Sequence, residues 1–194
     1  EDPIEFVHLR KNCLISQREI GVHATSFSSA LMSALREDPD VILVGELRDL
    51  ETMSIAVTAA EMGILVMGTL HTNGAAATVD RLVNAFPADK QPHVRTMLST
   101  SLRGVVSQQL IPRTDKQGRV AALEILINTP AVANLIRQGK MDQLENAMQS
   151  GAAVGMRLMD TAIQGLLEQR QITGKEAFKK AINKSRFEQF REAS

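Results

Sequence analysis

One cysteine, no tryptophan and no tyrosine occur among the 194 residues of this chain. A lone thiol, Cys13, excludes a disulfide framework and a four-cysteine zinc site, and it suits a reducing cytosol. The missing large aromatics argue against a base-stacking platform for single-stranded nucleic acid. No charge of either sign is in excess: Lys+Arg and Asp+Glu are both 22, so there is no basic footprint for a nucleic-acid partner. No apolar run approaches the roughly 18 residues that a membrane span needs, so no transmembrane segment is expected, and no signal-peptide pattern is present. Also absent is a G-x-x-x-x-G-K-[ST] run, the loop whose backbone amides and lysine hold nucleotide phosphates.

What is present is enough to bury a core, as one domain or as a domain with a small subdomain. The most informative stretch is 38–49, D-P-D-V-I-L-V-G-E-L-R-D. Asp38 precedes Pro39 and is therefore biased away from the helical region, which closes the preceding element. Val41, Ile42, Leu43 and Val44 form an apolar, β-branched run of the kind expected for a strand buried on both faces. Gly45 and Glu46 follow at once. A carboxylate at the C-terminal mouth of such a strand lies where open α/β sheets bind ligands. In nucleotide-hydrolysing folds that place holds the acid that orients water or a metal near the γ-phosphate.

The pattern then repeats. Residues 50–62 are helical in composition and Gly63 suits the C-cap. Residues 64–69, I-L-V-M-G-T, read as a second strand that runs into Leu70, His71, Thr72, Asn73 and Gly74. Residues 75–86 read as a helix with Val79, Leu82, Val83 and Phe86 on one face. A histidine at the edge of a strand neighbouring that of Glu46 is a candidate γ-phosphate sensor, since its ring N–H can donate to a phosphate oxygen. The first residues, E-D-P-I-E-F, add the carboxylates of Glu1, Asp2 and Glu5.

In order and spacing these three segments resemble the motifs of the type II and type IV secretion ATPases. Residues 1–8 (E-D-P-I-E-F-V-H) are similar to the Asp box, 38–49 to the Walker B segment, and G-T-L-H-T-N at 68–73 to the His box. Within that superfamily the chain is identified as similar to the retraction ATPases of type IV pili, the PilT-like group. Extension and secretion members usually carry a zinc loop with two C-x-x-C pairs, whereas the corresponding place here is the short I-P-R-T-D-K-Q-G turn at 111–118. The run T-P-A-V-A-N-L-I-R at 129–137 resembles the retraction signature A-I-R-N-L-I, with Ala133 standing where the signature has arginine.

The resemblance implies an α/β fold: a RecA-like P-loop NTPase core, partial in lacking the P-loop strand and helix, then a small all-helical C-terminal subdomain. Because no P-loop occurs, and the chain opens on Glu1 inside a family motif, it reads as the part of a longer protein that starts just after that P-loop. Alone it is expected not to hydrolyse ATP. In the whole enzyme the resemblance implies ATP and Mg²⁺ as cofactors, a homo-hexamer, and a cytoplasmic location peripheral to the inner membrane. The partner implied there is the inner-membrane platform machinery of the pilus. Carried over by position, Glu46 is the Walker B acid, at the end of the segment Val41, Ile42, Leu43, Val44, Gly45. No direct metal ligand is assigned, and magnesium is associated through Glu46. Glu5 is the candidate general base, with Glu1 and Asp2 as rivals in the Asp box. His71, within the His box Gly68, Thr69, Leu70, His71, Thr72, senses the γ-phosphate, held in orientation by Thr69 and Thr72. Arg48 forms a structural ion pair with an Asp-box carboxylate. The alternatives are a non-catalytic or accessory paralogue of the pilus motor, a type II secretion or pilus assembly ATPase, and, less favoured by the neutral charge, a nucleic-acid translocase.

The remaining chain divides near Pro130, giving a core of 1–129 and a helical part of 130–194. Residues 26–35 read as an amphipathic helix with Ser26 as N-cap, and 92–103 as another helix. Residues 105–111 and 119–127 read as antiparallel strands. Helices are expected at 130–137, 141–150 and 157–170, with capping-box spacing at Thr173 and Glu176. Residues 175–191 read as a solvated amphipathic helix. Met141, Met148, Met156 and Met159 read as core filler in preference to an adaptable contact surface.

Overall fold

A computed structural model describes residues 1–115 and 117–191. The described chain is α/β and forms two compact units. The first comprises residues 1–71 and 82–102, the second residues 72–81 and 103 onward.

In the first unit, helix α1 (Phe27–Ala34) begins at Ser26, whose hydroxyl accepts from the Ser29 amide while Ser29 returns the bond to the Ser26 backbone. After a 3₁₀ turn at Leu35–Glu37 the chain leaves through Asp38 at φ 53°, a left-handed conformation that aspartate tolerates. Strand β1 (Val41–Val44) follows, then α2 (Leu50–Glu61), capped by the Asp49 carboxylate on the Thr52 amide. Gly63, at φ 98°, turns the chain into β2 (Leu65–Gly68). The strands pair in parallel from Val41 with Leu65 to Val44 with Gly68. Leu31, Ile42, Val44 and Ala56 form the buried cluster, with Phe27, Leu35, Leu47, Ile55, Ile64 and Val66 packed on it. The expectation of a strand buried on both faces is corrected here. Ile42 and Val44 are buried, but Val41 is 50% and Leu43 55% exposed. The burial simply alternates: one side of β1 packs on the helices, and among the described residues β2 is its only strand neighbour.

Helix α3 (Ala75–Asn84) starts in the second unit and ends in the first. Helix α4 (Gln91–Ser101) packs against α2 within the first unit, burying Val94 and Leu98.

The second unit is built on an antiparallel hairpin, β3 (Gly104–Pro112) with β4 (Arg119–Ile127). Alternation puts Val105, Ser107 and Ile111 of β3, and Ala122, Glu124 and Leu126 of β4, on the buried face. Helices α5 (Pro130–Gln138), α6 (Leu144–Ser150), α7 (Met159–Glu168) and α8 (Gly174–Lys180) follow. Ile111 and Ala122 join Met159, Ile163, Ile172, Ala177 and Phe187 in one core. Pro130, where the sequence suggests a division, therefore lies inside this unit, because the hairpin lends its buried face to the C-terminal helices. Met148, Met156 and Met159 are all buried, as filler residues should be.

The C-terminal expectation is also corrected. Helix α8 stops at Lys180, and Ala181 adopts φ −57°, ψ 142°, outside the helical region. The Asp160 carboxylate accepts the Ile182 and Asn183 amides, both at 2.8 Å. A 3₁₀ segment, Lys184–Phe190, then places Phe187 wholly in the core. A continuous solvated helix over 175–191 would leave Phe187 without that burial, worth about 2 kcal/mol for a large apolar side chain. Among the described residues no helix is long and apolar enough to cross a membrane.

Candidate functional site

Because β1 and β2 run parallel, their C-terminal ends lie side by side, and the polar residues that follow both strands are brought together within the first unit. Two hydrogen bonds join these ends. The Leu47 amide donates to the Thr69 carbonyl at 3.0 Å, and the Thr69 hydroxyl donates to the Gly45 carbonyl. The Leu47 side chain lies over Gly68 so closely that a Cβ there would stand 2.6 Å from Leu47 Cδ1. Glu1 also lies beside this end, since a Cβ on Gly45 would meet Glu1 Cα at 3.4 Å, an ordinary contact distance.

Glu46, with its side chain 19% exposed, is the centre of the arrangement. Arg48 Nη2 donates to Glu46 Oε2 at 2.6 Å, and His71 Nε2 donates to Glu46 Oε1 at 3.1 Å. The Arg48 hydrogen bond holds the Glu46 carboxyl below the usual carboxylate range, against some desolvation, with Arg48 and His71 charge also favouring the anion. Reciprocally, the bond to Glu46 raises Arg48 above its ordinary value, and Asp2 adds a smaller Coulombic contribution. His71 is 82% exposed and Arg48 64%. An acceptor-only carboxylate flanked by an exposed imidazole and a guanidinium can polarise a water or face a magnesium shell, while the imidazole offers an N–H to an anion.

Glu1, Asp2 and Glu5 are distributed unevenly around this centre. Glu1 is fixed by Gln17, whose side-chain amide donates to Glu1 Oε2 at 2.9 Å, and by the Ile20 amide on its carbonyl. Asp2 is near enough for Arg48 to feel its charge. Glu5 is exposed and makes no hydrogen bond or ion pair among the described residues. Two expected contacts are replaced. Arg48 pairs with Glu46, not with an Asp-box carboxylate: Leu47 lies on Gly68, and Glu46 and Arg48 meet on either side of it. Thr69 and Thr72 do not hold His71: Thr69 is spent on Gly45, and the Thr72 hydroxyl is 2.7 Å from that of Thr78.

In the second unit the residues after His71 are anchored by groups that the motifs do not reveal. Ser107 Oγ accepts the Gly74 amide at 3.0 Å. Glu124, only 6% exposed, accepts the Ala75 amide on Oε1 at 2.7 Å and the Met159 amide on Oε2 at 3.1 Å. One carboxylate thus caps α3 and α7 together, as favoured at helix N-termini. The available signal is alternation: between inward-facing Ala122 and Leu126, position 124 must face the core as well.

Among the described residues no group of three or more His, Cys, Asp or Glu side chains is placed to hold a metal ion.

Comparison with known proteins adds the family. The model of the family described as type II/IV secretion system protein matches residues 1–192. A twitching motility protein of Neisseria gonorrhoeae is 57% identical over 183 residues, covering 94% of this chain and 49% of that protein. The type IV pilus retraction ATPase PilT of Pseudomonas aeruginosa is 55% identical over 181 residues, covering 93% of this chain and 52% of that protein. A crystal structure of the pilus retraction motor PilT with bound ADP superposes with a TM-score of 0.89 at 44% identity, over 97% of this chain and 53% of that one. The chain spans about half the length of the relatives it matches.

Proposed function

The chain belongs to the type II/IV secretion system protein family, and on that premise we propose that it carries the water-activating part of a motor ATPase that powers type IV pilus retraction, and so twitching motility. The hydrolytic part of this reading rests above all on one observation: Glu46 stands at the paired mouths of two parallel strands with His71 on one of its oxygens. The retraction part rests on likeness to relatives named for twitching motility and pilus retraction.

In this reading Glu46 is the Walker B carboxylate. Bound Mg·ATP would supply the scissile γ-phosphoryl bond, and its divalent cation would offset the charge that develops on the phosphate oxygens. Glu46 orients the attacking water through an acceptor oxygen, since a carboxylate in its anionic form has no proton to donate there. His71, exposed and able to present a ring N–H, turns from Glu46 towards the γ-phosphate when nucleotide is bound. Asp2 supplies further negative charge beside Arg48, and Glu5 remains the candidate general base, with Glu1 and Asp2 as rivals. Assembly is as a homo-hexamer on the cytoplasmic side of the inner membrane, where the ring engages the pilus platform. With no P-loop in these 194 residues, hydrolysis belongs to the complete reading frame that contains them.

His71→Ala in that complete protein tests the reading. ATP turnover and pilus retraction are measured on the same variant, and retraction is expected to fall more steeply than folding or nucleotide binding. Wild-type retraction in this variant would refute the sensing role. A second reading, an accessory paralogue, is favoured by Ala133 in the place of the signature arginine. It would be recognised by a complete protein that joins the ring but turns over no ATP.

A further inference from the structure

Arg48 is the group that the reading above leaves unused. It lies two residues beyond Glu46 and reaches back to the same carboxylate that His71 touches. The two oxygens of Glu46 are therefore both occupied, but unequally. Oε2 is held at 2.6 Å by a guanidinium, a planar cation that stays charged at any working pH. Oε1 is met at the longer distance of 3.1 Å by an imidazole that is 82% exposed. One oxygen has a fixed partner and the other an exchangeable one.

A glutamate at the end of a strand has three side-chain torsions, and a carboxylate that must aim at one water gains from a partner that removes some of that freedom. The backbone is arranged to give that partner. Leu47 packs on Gly68 and is tied through its amide to Thr69, so residues 46 and 48, on either side of it, are carried by a fixed segment. Asp2 contributes a second negative charge in the neighbourhood of Arg48 without displacing it from Glu46.

We propose that Arg48 is a positioning residue for hydrolysis: it anchors Glu46 Oε2 so that Oε1, once His71 leaves it, faces the attacking water. The inference rests on Glu46 being the hydrolytic carboxylate. It does not make Arg48 a nucleotide ligand. An ion pair this exposed contributes little to folding, so its loss changes the aim of the carboxylate far more than the stability of the fold.

The test uses protein from the complete reading frame, with Arg48→Gln, Arg48→Lys and Glu46→Gln measured together for steady-state ATP hydrolysis and thermal unfolding. In Arg48→Gln, kcat is expected to fall roughly two- to fivefold, the scale of losing one exposed charge-assisted contact. KM for ATP and the melting temperature are expected to stay close to wild type, and Arg48→Lys to recover part of the lost kcat. Unchanged or raised kcat in Arg48→Gln overturns the inference, and so does a rise in KM that accounts for the whole effect. Glu46→Gln separates the two levels. If it still turns over ATP, the reading of Glu46 fails. If it is inactive while Arg48→Gln has wild-type kcat, only the role of Arg48 fails.

Discussion

Glu124 and Ala75 lie 49 residues apart, yet the Glu124 carboxylate accepts the Ala75 backbone amide at 2.7 Å, at the first position of α3. Its second oxygen accepts the Met159 amide at 3.1 Å, so a single buried side chain starts two helices. Neither oxygen has a spare role, and both partners are N–H donors that have no intrahelical acceptor.

Replacing Glu124 by Gln turns a donating NH₂ towards one of these amides. The expected cost is about 1–3 kcal/mol, the usual penalty for leaving a buried donor unsatisfied, and Glu124→Ala should cost at least as much. Urea unfolding monitored by circular dichroism measures it. A Glu124→Gln midpoint equal to wild type would show that the two caps do not depend on the carboxylate.

Asp160 makes a similar bridge at the C-terminal end, accepting the Ile182 and Asn183 amides that follow the break in the last helices. Asp160→Ala should release the segment that carries Phe187, and Phe187→Ala should cost about 3–5 kcal/mol, as for other fully buried aromatics. Limited proteolysis followed by mass spectrometry is expected to show early cleavage after residue 181 in both variants. Cleavage at the wild-type rate would mean that the segment is held by other contacts.

Asp49 caps α2 through the Thr52 amide and hydroxyl, each at 2.8 Å. The Thr52 amide bond above all holds its carboxyl below the ordinary aspartate value, against desolvation by burial, with the hydroxyl bond adding to it. A folded-state value depressed in this way stabilises the fold above the unfolded value, about 3.9, and the benefit is lost as pH falls through the folded value. Asp49→Ala should therefore cost about 1 kcal/mol at neutral pH, typical of an exposed N-cap. The gap to wild type should narrow below about pH 4. Denaturant titrations at pH 7 and pH 3.5 compare the two; a gap that stays constant or widens in acid contradicts the capping account.

Much of this architecture is legible in the residues, for local reasons. The run at 41–44, the glycine after α2 and the serine before α1 act within a few positions, so strand, helix ends and cap follow from short-range chemistry. The hairpin is equally readable, because inward and outward residues alternate along both strands. What the chain does not disclose depends on partners far away in sequence. Arg48 meets Glu46 on either side of Leu47, which lies on Gly68, a residue of the other strand. Thr69 is taken by Gly45. The charged tail has a helical pattern throughout, yet two amides held by Asp160 and a pocket for Phe187 break it after Lys180. The residues of the candidate site are legible from their motifs, whereas their geometry is set by tertiary contacts.

Glu46 is the residue on which the account turns, and its isosteric replacement gives the most direct measurement. Glu46→Gln is made in protein expressed from the complete reading frame, and ATP turnover is measured beside equilibrium ATP binding. Turnover is expected to fall on the order of a hundredfold or more, as for loss of a group that acts on the attacking water, while ATP affinity stays within a few-fold of wild type. Wild-type turnover in Glu46→Gln would contradict the account.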